Sequence, residues 1–341
     1  MTVGETEARA GNGVTASPGQ QSTRLPSVTK SPDAALHCGA ENGWQATVTD
    51  QAAMRTGAAM QSTDGKTEGG PAAEYLPTLT QKELGGRISM LGIKKANTRA
   101  WQMGILGILA GLYIGLGGHV FLVALSQGAG TIVGGAVFSV GLVLVVVAGA
   151  ELFTGNIILV VGMMTGLISV RKTLRNWGTV YLGNFIGAYG LALMVWASGL
   201  LGSPRGLNTL GRLAIQVTET KLALTFAQAF YRGVPCNILV VLAIIMAAMS
   251  KDIISKVVCC MLPIMVFVAC GFEHCVANMY LIPLGMFAKA TPLGQQLQMF
   301  HNLIPVTLGN CVGGIFILAI HPNRIRQLVY LWRQRQTPSV R

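Results

Sequence analysis

Gly149-Ala150-Glu151-Leu152-Phe153-Thr154-Gly155-Asn156 recurs 122 positions later as Gly271-Phe272-Glu273-His274-Cys275-Val276-Ala277-Asn278. The shared frame is Gly-x-Glu-x-x-x-x-Asn, and each copy interrupts a long apolar run with polar side chains. Those runs, 132–165 and 256–289, are too long for single spans, since a membrane helix needs ~20 apolar residues. Non-helical backbone at membrane depth is tolerated only inside protein or beside a polar cavity. Each copy therefore predicts a broken helix with a sheltered loop. Four more apolar segments, 100–125, 174–200, 221–250 and 300–321, complete a set of six. Gly183-Asn184-Phe185-Ile186-Gly187 returns as Gly309-Asn310-Cys311-Val312-Gly313 at an offset of 126, and Gly111 and Gly233 differ by 122. Three spans per half is an odd number, so the halves face opposite ways. The expected fold is an all-α membrane protein with six transmembrane helices in an inverted repeat, spans 2 and 5 broken, the site lying near the midplane.

Composition agrees. Of 341 residues 51% are hydrophobic and only 11% charged, and the mean hydropathy is +0.53. Soluble domains carry about 25% charged residues, so an ordinary water-soluble enzyme is excluded. Residues 1–86 hold six Lys/Arg against nine Asp/Glu, which leaves 19 against four for 87–341. These positive residues flank apolar runs and form no aromatic-laced stripe, so nucleic acid is not the expected partner. The stretch 1–86 is polar and aperiodic, which predicts a disordered cytoplasmic tail; 323–341 reads as a basic cytoplasmic C-terminal tail. No apolar h-region marks a signal peptide, and nine acids argue against a transit peptide. Fourteen Lys/Arg near the span ends on the N-terminal side face four on the other, which places both termini in the cytoplasm. A multi-pass plasma-membrane protein is expected, an organelle membrane being the alternative. The cysteines show no metal or disulfide spacing and read as small buried hydrophobes. Neither cofactor nor metal is expected.

At the two broken segments the chain resembles the formate/nitrite transporter family. Ala148 through Asn156 is similar to that family's first signature. Gly271 through Tyr280, with Ile282-Pro283-Leu284-Gly285, is similar to its second, and Asn302 through Asn310 to its sixth-helix motif. The resemblance covers about 87–322, so this stretch is expected to be the membrane domain. It implies an aquaporin-like protomer in a homopentamer, each copy with its own pore. It further implies that Thr154, in the first loop, faces His274 in the second, with Asn237 lining the pore nearby. Leu142 and Phe267 would form an inner constriction, Phe138 and Phe153 would contribute to an outer one, and Lys221 at the outer start of span 4 would be the vestibule cation. Pro235, just before Cys236-Asn237, departs from many relatives and leaves the geometry there open.

The residues themselves support part of this. Glu151 and Glu273 are the acids inside the expected spans, and a carboxylate there costs at least ~2.5–3.5 kcal/mol; they read as anchors of loop amides and hydroxyls. His274 matches Leu152 at the same offset, and that asymmetry points to imidazole chemistry. Thr154 and Asn278 can hydrogen-bond an anion or a neutral acid, and an ammonium at Lys221 would concentrate anions. Phe138, Leu142, Phe153 and Phe267 would otherwise read as core, and Arg232 within span 4 must face protein or water. The function expected is transport of small monovalent anions, formate, nitrite, lactate or acetate, as the neutral acid or with a proton. A pore for water or glycerol is the alternative, although paired Asn-Pro-Ala boxes are absent. An intramembrane enzyme lacks its motifs.

Overall fold

The computed structural model describes residues 81–203 and 206–320, all within the compact unit Ala73–Arg341. The first half comprises α1 (Gln81–Asn97), α2 (Ala100–Ser126), α3 (Thr131–Phe138), α4 (Val140–Val147), a 3-10 turn (Gly155–Ile158), α5 (Leu159–Met164) and α6 (Val170–Ala197). A small antiparallel hairpin, β1 (Gly202–Ser203) with β2 (Gly206–Leu207), leads into the second half. There follow α7 (Thr209–Leu222), α8 (Phe226–Met249), α9 (Ile253–Ala269), α10 (Cys275–Ala288), α11 (Leu293–Gln296) and α12 (Met299–Ala319). Four stretches are long and apolar enough to cross a membrane: Ala100–Ser126, Val170–Ala197, Phe226–Met249 and Leu293–Ala319. The shorter apolar helices fall into two groups, α3 to α5 around residues 148–154 and α9 to α10 around 270–274.

Both interruptions begin the same way. Helix α4 ends with Ala150 N donating to Val145 O at 2.9 Å, and α9 with Phe272 N donating to Phe267 O at 3.0 Å. This closing bond requires a left-handed residue just past the helix end. Gly149 (φ 81°) and Gly271 (φ 69°) fill that place, where a side chain would be strained. The glycine of the repeated frame is thus the helix stop.

Small residues let the long helices approach closely. Helix α2 packs most extensively on α6, and α8 on α12 in the second half. A Cβ on Gly187 would run into the Ile108 carbonyl, and one on Gly313 into the Val234 carbonyl, the same contact displaced by 126 residues. Backbones this close gain packing that lipid cannot supply.

Several boundaries differ from the sequence reading. Helix α1 begins at Gln81, inside the stretch assigned to the tail. Helix α7 was not expected: Arg212, Gln216, Glu219 and Lys221 make it too polar for a span, and Asn208 caps it by accepting from Gly211 N at 2.9 Å. Helix α8, expected as the span 221–250, starts at Phe226, because Thr225 and Gln228 form a reciprocal capping box. Lys221 therefore sits in the last turn of α7, not at the start of that span. The partner of Gly233 is Gly107, not Gly111, since their carbonyls do the same work in the two halves. The hairpin qualifies the all-α reading. The rest of the N-terminal tail and the tail 323–341 lie outside the described residues.

Replacing Gly187 with Val should push α2 and α6 apart and lower the thermal midpoint in mild detergent. Gly190→Ala on the same helix, where an added Cβ meets nothing within 4 Å, should leave the midpoint unchanged.

Candidate functional site

Each interruption is held by one carboxylate. Glu151 accepts Lys95 Nζ on Oε1 at 2.9 Å and Asn156 Nδ2 on Oε2 at 2.6 Å. Asn156 Nδ2 also donates to Asn176 Oδ1 at 2.9 Å, and Asn176 Nδ2 to the Lys95 carbonyl at 3.2 Å. The second half repeats this. Lys221 Nζ lies 2.9 Å from Glu273 Oε1, Asn278 Nδ2 donates to Glu273 Oε2 at 2.6 Å and to Asn302 Oδ1 at 2.7 Å, and Asn302 Nδ2 donates to the Lys221 carbonyl at 3.0 Å. Glu151 and Glu273 are buried, and a buried charge is tolerated when paired and hydrogen-bonded.

A second asparagine brackets each loop. Asn184 accepts from Phe153 N at 2.9 Å while donating to the carbonyls of Glu151 and Gly107 at 2.9 and 2.8 Å. Asn310 accepts from Cys275 N at 2.9 Å and donates to the carbonyls of Glu273 and Gly233, again at 2.9 and 2.8 Å. These bonds satisfy backbone groups that have left the helix, as burial in an apolar medium requires.

The halves differ where chemistry can occur. Thr154 Oγ1 lies 2.9 Å from His274 Nε2, both residues buried; their counterparts are Val276 and Leu152. His274 is also the N-cap of α10, its Nδ1 accepting from Ala277 N at 3.1 Å. An acceptor Nδ1 puts the proton of the neutral ring on Nε2, so Nε2–H donates to Thr154. The Thr154 hydroxyl hydrogen then remains available to another acceptor. Asn237 donates through Nδ2 to the Asn310 carbonyl at 2.7 Å. The counterpart of Asn237 is Gly111, whose added Cβ would meet the equivalent Asn184 carbonyl. Asn237 Oδ1 and Asn278 Oδ1 are buried without a hydrogen-bond partner among the described residues.

The four apolar residues are grouped differently from the resemblance. Phe138 meets Phe267 edge-on at 5.8 Å, and Phe267 stacks on His274 at 5.8 Å. Phe138, Phe267, His274 and Thr154 thus form a continuous chain of contacts. Phe153 packs instead against Trp177 and Tyr181. Leu142 is buried on α4, one turn beyond Phe138. Lys221 does not stand as a lone cation: it is paired with Glu273 and its side chain is only 14% exposed. Arg232 is exposed, and its carbonyl accepts from Glu273 N at 3.1 Å. Sequence reasoning missed Lys95, Asn176 and Asn302 as members of the networks. The offset of 126 that links Asn184 to Asn310 also links Lys95 to Lys221 and Asn176 to Asn302, so the signal was present.

Residues 82–322 match the family model described as formate/nitrite transporter. The formate channel FocA of Haemophilus influenzae is 38% identical over 249 residues, which cover 66% of this chain and 87% of that protein. A probable formate transporter of Methanothermobacter thermautotrophicus is 41% identical over 235 residues, 63% of this chain and 85% of the relative. Among solved structures, a pentameric formate channel with formate bound aligns with a TM-score of 0.58 at 35% identity, covering 68% of this chain and 98% of that one. A structure described as an FNT family ion channel gives 0.63 at 29% identity, covering 74% and 99%. The water or glycerol alternative finds no support in these likenesses.

Lys221→Met leaves the Glu273 carboxylate buried and unpaired, a change that costs about 3–5 kcal/mol in such settings. Its thermal midpoint in detergent should fall well below wild type. The double variant Lys221→Met/Glu273→Gln removes both charges and should recover most of the loss; equal midpoints for the single and double variants would contradict the ion-pair account.

Proposed function

The chain belongs to the formate/nitrite transporter family, and from that premise we propose that it carries formate and similar small monovalent anions across a membrane. Nitrite, lactate and acetate fall in the same class, and the species that passes is the neutral acid, or the anion with a proton. The reading has six crossings, the four long helices plus α3–α5 and α9–α10, in two inverted halves spanning about 87–322. It is a plasma-membrane transporter rather than an enzyme, with both termini cytoplasmic, working as a homopentamer with a pore in each protomer.

The observation that carries the reading is the Thr154–His274 hydrogen bond at 2.9 Å between the two interrupted segments. With the ring proton on Nε2 engaged by Thr154, the Thr154 hydroxyl can donate to a carboxylate or to the carbonyl oxygen of an acid. A second ring proton would have to displace the Ala277 amide from Nδ1. The resting ring is therefore a neutral donor, and the proton that accompanies the substrate comes from bulk water. Phe138, Leu142 and Phe267 are apolar, so a bare anion meets a desolvation penalty there that protonation largely removes. The partnerless Asn237 Oδ1 favours the same species, because an acid O–H can donate to it and a carboxylate cannot. Lys221, neutralised by Glu273, acts mainly by keeping that carboxylate ionised and the loop in place.

His274→Phe preserves aromatic bulk and the stack on Phe267 but removes both ring nitrogens. Labelled formate uptake into vesicles should fall at least about tenfold, the loss of one or two buried hydrogen bonds, with the oligomer intact. His274→Asn, whose amide can still donate to Thr154, should retain residual flux with the pH dependence of the wild type. Wild-type uptake by an assembled Phe variant would make His274 structural and overturn the reading.

A further inference from the structure

The Phe153 ring stands against two rings of α6, Tyr181 at 5.0 Å and Trp177 at 6.2 Å, both edge-on. Trp177 also donates through Nε1 to the Asn156 carbonyl at 3.0 Å. These two residues, one turn apart on α6, hold both ends of the segment 153–156, and Thr154 lies between them. The second half lacks these rings: Cys275 stands where Phe153 would be and Leu303 where Trp177 would be, and the Cys275 thiol meets the Thr307 hydroxyl instead. Tyr181 itself corresponds to Thr307 at the offset of 126, and the two hydroxyls bond directly at 3.0 Å. A bond between equivalent positions lies on the axis that relates the halves.

The place of this bond along the chain matters. Tyr181 precedes Asn184 by three residues on α6, and Thr307 precedes Asn310 by three on α12. Asn184 fixes the backbone of Glu151 and Phe153, next to Thr154. Asn310 fixes the backbone of Glu273 and Cys275 on either side of His274. The hydroxyl pair therefore ties together, within one helical turn, the two brackets that carry Thr154 and His274. A hydrogen bond weakens steeply as its atoms move apart, so a small slide of α6 past α12 would open the Thr154–His274 contact.

We propose that the Tyr181–Thr307 pair is a positioning latch that sets the separation of Thr154 and His274, and with it the rate at which the site passes its substrate. Neither residue needs to touch substrate. The effect on transport rests on the reading that substrate passes at Thr154 and His274; the effect on the His274 ring does not.

The test uses the full chain with Tyr181→Phe, which removes only the hydroxyl and keeps the ring on Phe153. Thr307→Val cuts the same bond from the other side, and Thr307→Ser keeps it. Formate uptake should show a maximal rate about 3- to 10-fold lower for the first two variants, the size of one neutral hydrogen bond, with KM within about twofold. Thr307→Ser should restore the rate. The double variant should be no slower than Thr307→Val alone, which already loses the Tyr181 bond along with the contact to Cys275, and Tyr181→Phe should add nothing in a Thr154→Val background. Nitrogen-15 resonances of the His274 ring, assigned by their loss in His274→Phe, should shift in Tyr181→Phe. An unchanged His274 resonance, or additive losses in the double variant, overturns the latch. A wild-type chain that takes up no formate would sink the transport reading, while the His274 resonance still decides the latch.

Discussion

Two carboxylates in apolar surroundings must each be neutralised where a helix has been broken. That constraint organises the molecule. Glu151 and Glu273 hold the loops by accepting from Asn156 and Asn278, but each then needs a cation. The cations come from helices outside the four long apolar ones: Lys95 near the end of α1 and Lys221 in the last turn of α7. These two short helices exist, in this view, to deliver an ammonium. Asn176 and Asn302 return the favour by binding the lysines' own carbonyls. Losing any member exposes a buried charge or an orphaned amide, and both are costlier than the bonds themselves are worth.

The proposed function rests on a few unequal pairs within this symmetric scaffold. His274 opposes Leu152, Thr154 opposes Val276, Asn237 opposes Gly111, and Phe153 opposes Cys275. The scaffold bonds agree between halves to within a few tenths of an ångström, whereas the unequal pairs supply a ring and a hydroxyl that meet between the two interruptions, and an amide bound to the Asn310 carbonyl. A repeat left fully symmetric would give an apolar contact there and nothing to receive an acid. Stability and chemistry are thereby assigned to different positions of the same motif.

Much of this was legible in the sequence, for physical reasons. The glycines that stop the helices, the glutamates and the asparagines are each required by backbone geometry or satisfaction, so the repeat preserved them at fixed offsets. Thr154 beside His274 was expected from the resemblance and lies within hydrogen-bond distance. Less legible were the parts that depend on three-dimensional packing. Lys95 looked like one more charge at a span end, because an ion pair across 56 residues leaves no local pattern. Lys221 looked like an exposed cation for the same reason. The aromatic residues were grouped by motif, but which ring meets which depends on the approach of α3, α6 and α9, and Phe138 met Phe267 while Phe153 turned toward Tyr181. Helix α7 was hidden by its polarity, since a long apolar run is the sequence signal that marks a span.

The central claim is that formate crosses the Thr154–His274 site without net charge. The direct measurement is formate entry into vesicles holding the full chain, first under a pH gradient with the membrane potential clamped at zero, then under a potential with no pH gradient. The account predicts accumulation toward the alkaline side in the first case and no net accumulation in the second. Entry that follows the potential and ignores the pH gradient would contradict it.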